Sequence, residues 1–157
     1  VVARASVGAR GAVVAVDPRP VDPIEGVEYV RGRVGDPKLV ERLGPESFDV
    51  VLSDMSPRIS GAYATDHARS VGLVRDALEL ARFVLRPGGT FVAKVFDGDL
   101  VDGLESELGR NFGSVRRTKP PASRETSSEL YLIAMRYVPK RPDVPGTASG
   151  PPPSPAK

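Results

Sequence analysis

Four charged side chains stand where apolar runs of this chain end or begin. FDVVLSDMSP, Phe48–Pro57, is a buried run that stops on Asp54 and a proline turn. TFVAKVF, Thr90–Phe96, carries Lys94 inside an apolar stretch, where an unpaired ammonium is costly. ELYLIAMRYV, Glu129–Val138, opens on Glu129, and AVVAV, Ala12–Val16, runs into Asp17. An acid, a lysine and a second acid on one rim form a group that can handle a proton. Lysine serves as a base only when its pKa falls, through burial or a neighbouring positive charge, whereas flanking carboxylates orient the ammonium and raise its pKa. Asp17 could bind a ribose, as an acid after an early strand does in many nucleotide-binding α/β folds. Each residue also has a plainer reading. Asp54 could only hold its turn, Lys94 could guard a sheet edge, and Glu129 could be an ordinary strand-start acid. Tyr131 shares a strand face with Glu129 by period two, and either lines the site or packs. His67, the single histidine, reads as a residue that caps or decorates a helix.

The elements that must position these groups follow from pattern. AVVAV, GVEYV (Gly26–Val30), FDVVLS (Phe48–Ser53) and TFVAKVF are short apolar runs that predict strands, the first buried on both faces. DPKLVERLG, Asp36–Gly44, predicts a short helix with Asp36 as N-cap, Pro37 at its first position and Gly44 at its end. Apolar residues at Val71, Val74, Leu78, Ala81 and Leu85 predict a long helix stopped by RPGG, Arg86–Gly89. A third helix is predicted within Asp99–Phe112, then a polar strand at Ser114–Lys119 and a strong last strand at Glu129–Val138. Strands alternating with helices imply an α/β fold with a mostly parallel sheet and helices on both faces, ligands lying beyond the carboxyl ends of the strands. An antiparallel last strand would bring Glu129 to the same rim as Asp54 and Lys94.

Composition sets the class. The chain has 157 residues, 40% hydrophobic and 27% charged, consistent with one soluble globular domain. No apolar run reaches the roughly 20 residues of a membrane span. Without cysteine there is neither a disulfide nor a thiolate metal site, and no metal-ligand cluster is visible, which fits a cytoplasmic protein. Net charge is +2, but residues 110–141 hold eight Arg or Lys against Glu125 and Glu129, a local +6. Such asymmetry suits a polyanionic partner. Pro139–Lys157, with seven prolines in nineteen residues, reads as a disordered tail after a domain spanning 1–138.

VVLSDMSP, LRPGGTFVAKVF and KPPASRETSSELYLIA, in that order and spacing, resemble the FtsJ-like ribose 2′-O-methyltransferases, and AVDPRPVDPIEGVEYVRG is similar to the ribosomal RNA branch of that family. The resemblance runs from about Val1 to Ala134. It implies a Rossmann-like methyltransferase sandwich with an antiparallel last strand. It also implies S-adenosylmethionine as cofactor and large-subunit ribosomal RNA or the subunit itself as partner. The family's Lys-Asp-Lys-Glu tetrad maps its aspartate onto Asp54, its second lysine, the base, onto Lys94, and its glutamate onto Glu129. Asp17 and Asp54 would contact the cofactor, and Lys119 and Arg124 in the basic region would contact RNA. Arg33 stands where family members commonly carry an acid near the adenine, with Asp36 a candidate in its place.

The family's first strand, its Gly-rich loop and its first lysine have no counterpart in the sequence, which opens on VVARASVGARGAVVAVD and not on Met. The reading is therefore of a chain lacking that first strand and having little activity without it. Two rivals are a non-catalytic RNA-binding or ribosome-assembly protein that keeps the fold, and a dinucleotide-binding oxidoreductase domain. The second explains Asp17 but not Asp54, Lys94 and Glu129.

Overall fold

The computed structural model describes residues 2–119 and 128–139. Arg124 and the Pro-rich stretch from residue 140 onward lie outside the described residues. A short helix α1 (Val2–Ser6) leads into β1 (Val13–Asp17), β2 (Val27–Arg31), α2 (Pro37–Leu43) and β3 (Phe48–Ser53). Next come the long α3 (Tyr63–Val84), β4 (Leu85–Phe96), α4 (Val101–Gly109), β5 (Phe112–Thr118) and β6 (Glu129–Tyr137). The capping signals at α2 act as their chemistry requires. The Asp36 carboxylate accepts from the Lys38 N–H at 2.9 Å, Pro37 occupies the first turn, and Gly44 ends the helix at φ +75°.

The strands form two sheets. One has the order β3-β4-β6-β5, with β3 parallel to β4 and β6 antiparallel to both its neighbours. The other is the parallel pair β1-β2. Burial alternates along β4: Phe91, Ala93 and Val95 are fully buried, while Val92 and Lys94 are half-buried. On β6, Leu132 and Ala134 extend the buried face. Against this core pack the apolar stripe of α3 (Val71, Val74, Leu78, Ala81) and that of α4 (Val101, Leu104, Leu108). Burying each such side chain contributes roughly 1.5–3 kcal/mol, so the four-stranded sheet and its two helices carry most of the stability.

Two local features differ from the sequence reading. RPGG does not separate α3 from β4 as a free turn. It lies within the strand as an irregularity, with Gly88 at φ +84° and the register to β3 slipping between Phe48↔Leu85 and Val50↔Thr90. A residue with a side chain is strained at such a φ, and glycine is not. β1 is half-buried throughout, not covered on both faces, and Val50 and Leu52 of β3 are 50% and 63% exposed. The cause is topological. Among the described residues no strand joins β1 to β3, and both line a cleft of about 860 Å³.

Candidate active site

Strand register brings the tetrad-type residues together. The parallel pairing Ser53↔Ala93 sets Asp54, one residue past the end of β3, beside Lys94. The antiparallel pairings Lys94↔Tyr131 and Phe96↔Glu129 place Tyr131 and Glu129 on the Lys94 face, since residues two apart on a strand point the same way. Lys94 Nζ lies 3.1 Å from Asp54 Oδ1 and 3.5 Å from Glu129 Oε1. The Tyr131 hydroxyl donates to Asp54 Oδ1 at 3.2 Å. The lysine side chain is 11% exposed, its partners 75% and 41%. A cation is thus drawn into the protein while its counter-charges face solvent.

Electrostatics follow from that arrangement. Burial pulls the Lys94 pKa down, but the Asp54 hydrogen bond and the charges of Asp54, Glu129 and Tyr131 outweigh it, leaving the pKa above its ordinary 10.5. Tyr131 is also raised, first by burial and then by the charge of Asp54 and the hydrogen bond to it. With the groups described, Lys94 therefore holds its proton near neutrality.

Asp17 ends β1, accepts the Arg19 N–H at 2.8 Å, and lines the same cleft as Asp54 and Met55. Its side chain is 36% exposed there. A carboxylate, which accepts hydrogen bonds, in a cleft also lined by Val14, Val16 and Leu52 fits a ribose diol, which donates them, next to a base packed on apolar side chains. Arg33 lines this cleft too, while Asp36 is engaged in capping α2. Lys119, just past β5, is exposed and borders a smaller cavity of about 200 Å³ with Asp97, Arg117, Thr118, Glu129 and Leu130. Arg117 is already paired with Asp102 and Glu105, so part of the basic surplus is neutralised within the protein.

Several residues that sequence reasoning passed over support the two strand exits. Asp66, 6% exposed, accepts from the Ser60 N–H at 2.9 Å and the Gly61 N–H at 3.1 Å, anchoring the loop that follows Asp54. The Ser60 backbone bond, helped by the Ser60 hydroxyl, holds its pKa below the ordinary 3.8. His67 is not a surface decoration of α3 but is 2% exposed, with its ring against the end of β4. A signal was present. His67 and Ser70 continue the apolar stripe Val71–Val74–Leu78 back to the helix start, and a polar residue on a core-facing stripe must have a buried partner.

The model of the FtsJ-like methyltransferase family matches residues 1–137. The chain is 47% identical over 135 residues to a ribosomal RNA large subunit methyltransferase E of Natronomonas pharaonis, covering 85% of this chain and 54% of that protein. It is 46% identical over 139 residues to the protein of the same name in Gluconobacter oxydans, covering 84% and 51%. A crystal structure of a ribosomal RNA methyltransferase from Plasmodium falciparum superposes with a TM-score of 0.71 at 25% identity, over 82% of this chain and 73% of that one. The chain spans about half the length of the first two of these relatives.

Proposed function

The chain belongs to the FtsJ-like methyltransferase family, and on that premise we propose that it methylates the 2′-hydroxyl of a ribose in large-subunit ribosomal RNA, using S-adenosylmethionine. The observation that carries this reading is the clasp of Lys94 Nζ between Asp54 at 3.1 Å and Glu129 at 3.5 Å, at the carboxyl ends of parallel strands and beside the cleft that holds Asp17. No helix among the described residues is long and apolar enough to cross a membrane, and the proposed place of action is the cytoplasm.

Asp17 would hold the cofactor ribose and Asp54 would lie near its reactive end. When bound, the cofactor supplies a methyl group on a positively charged sulfur. A ribose hydroxyl is a poor nucleophile until its proton leaves, and Lys94 Nζ, once neutral, would take that proton. Asp54 and Glu129 fix the direction of the ammonium, and Tyr131 fixes Asp54. Positive charge near Nζ must offset the two carboxylates, and a cationic ligand in the adjoining cleft contributes in that direction. Much of the remaining rate comes from holding the attacking oxygen in line. Lys119 and, outside the described residues, Arg124 would contact RNA phosphates.

The test is twofold. Calorimetry should show binding of S-adenosylmethionine and none of NAD, and labelled methyl should appear at a ribose 2′-oxygen of large-subunit RNA. Binding of NAD instead, or label on a base, would overturn the reading.

A further inference from the structure

The first two turns of α3 grip the segment where β4 ends. Tyr63, His67 and Ser70, spaced four and three, share a helix face. His67 Nδ1 lies 3.0 Å from the Phe96 carbonyl, which can only accept, so Nδ1 carries the proton and donates. Nε2 then accepts the Leu100 N–H at 3.2 Å, and Asp99 Oδ1 lies 3.4 Å from the same nitrogen. Ser70 Oγ accepts the Phe96 N–H at 3.1 Å and donates to the His67 carbonyl at 2.8 Å. The Tyr63 ring stacks on the imidazole at 6.1 Å, and its hydroxyl donates to the Asp97 carbonyl. At Gly98 the chain passes so close that a Cβ would lie 2.6 Å from Nε2. One buried ring thus holds both ends of the five-residue turn Phe96–Leu100.

That turn begins two residues after Lys94. Phe96 is the register partner of Glu129, and the Asp97 N–H donates to Ser128 O. The neighbouring helix residue, Asp66, fastens the loop after Asp54. Adjacent side chains of α3 therefore anchor the chain beyond both Asp54 and Lys94. We propose that His67 is a positioning residue for methyl transfer: by fixing the exit of β4 it keeps Lys94 and Glu129 in line with Asp54. The inference rests on the functional reading above, with Lys94 as the base.

Two variants test it. His67→Leu fills the buried space without either hydrogen bond, and His67→Asn restores a donor for Phe96 O. Steady-state kinetics are measured on the form of the protein that transfers methyl groups, and amide hydrogen exchange on this chain. In His67→Leu, kcat should fall about tenfold or more with KM for RNA within about twofold, because small misplacements of reacting groups are costly. His67→Asn should recover part of the loss. The Phe96 and Asp97 amides, whose own partners are Ser70 and Ser128, should exchange about tenfold faster or more, while Leu78 and Phe91 keep their protection. An unchanged kcat would overturn the proposal, as would unchanged exchange at Phe96 and Asp97, or an equal loss at Leu78 and Phe91, the mark of a merely structural histidine. If no form transfers methyl, the functional reading fails, and the exchange data still decide whether His67 fixes the strand exit.

Discussion

Tyr131 stands directly opposite Lys94 in the antiparallel ladder of β4 and β6, and its hydroxyl donates at 3.2 Å to Asp54, the carboxylate that the lysine also touches. The tyrosine and the lysine therefore compete for one acceptor. Removing the phenol frees Asp54 to rotate and leaves the lysine as its remaining polar neighbour among these three. Tyr131→Phe should lower single-turnover methyl transfer about fivefold, the effect of roughly 1 kcal/mol for a hydrogen bond at a partly exposed carboxylate. Its melting temperature should barely change. A rate equal to that of the parent would show that Asp54 needs no such restraint.

Alkaline titration should report the Lys94 clasp. A pKa raised on folding means that the folded protein holds the proton more tightly than the unfolded chain does. The resulting stability is fully present below the ordinary 10.5 and is lost as pH rises through the folded value. Tyr131 and Tyr137 are raised from 10.0 and act in the same sense. Urea midpoints should therefore fall with pH above this range, and the fall should be shallower in Lys94→Met. Parallel curves for the two proteins would contradict the pairing.

The acid limb belongs in part to Asp66. Its pKa is depressed, so its contribution is present above the ordinary 3.8 and disappears as pH falls through the folded value. Asp66→Asn should melt at a lower temperature near neutrality and lose stability less steeply below pH 3.8. The loop that Asp66 anchors follows Asp54, so the variant should also show faster amide exchange at Ser60 and Gly61. Unchanged exchange there would mean that the loop is held by something else.

Much of this architecture was legible from local chemistry. Asp36, Pro37 and Gly44 marked α2 because capping groups act within a few residues of one another, and the stripe Val71–Ala81 marked α3 by period alone. The rim of Asp54, Lys94 and Glu129 was legible because strand ends are punctuated in the sequence and the topology of α/β folds is restricted. RPGG was misplaced as a plain stop, since a glycine pair can end a helix or bulge a strand, and only register to β3 distinguishes the two. The role of His67 needed knowledge of which strand exit its ring would meet 29 residues later. The exposure of Val50 and Leu52 likewise depends on what stands beside β3, and that information is non-local.

RNA affinity should separate committed cations from available ones. Lys119 is exposed beside Glu129, whereas Arg117 is paired with Asp102 and Glu105. Reversing Lys119 and Arg124 to Glu should weaken RNA binding and reduce the slope of log K against log salt by about 0.7 per lost phosphate contact. Arg117→Ala should change the slope less than either. If Arg117→Ala moved the slope most, Arg117 and not Lys119 would be the phosphate contact.

The central claim is that Lys94 is the base, and it is tested most directly by transfer of labelled methyl to large-subunit ribosomal RNA. The comparison is between the protein and its Lys94→Met variant. The clasp by Asp54 and Glu129 raises the Lys94 pKa. A second cation at about 6 Å, with an effective dielectric near 20, would oppose that by on the order of 3 kcal/mol, roughly two pKa units. The account predicts methyl transfer by the protein and a fall of about 100- to 10,000-fold on Lys94→Met with S-adenosylmethionine still bound. Equal turnover by the protein and its Lys94→Met variant would contradict it.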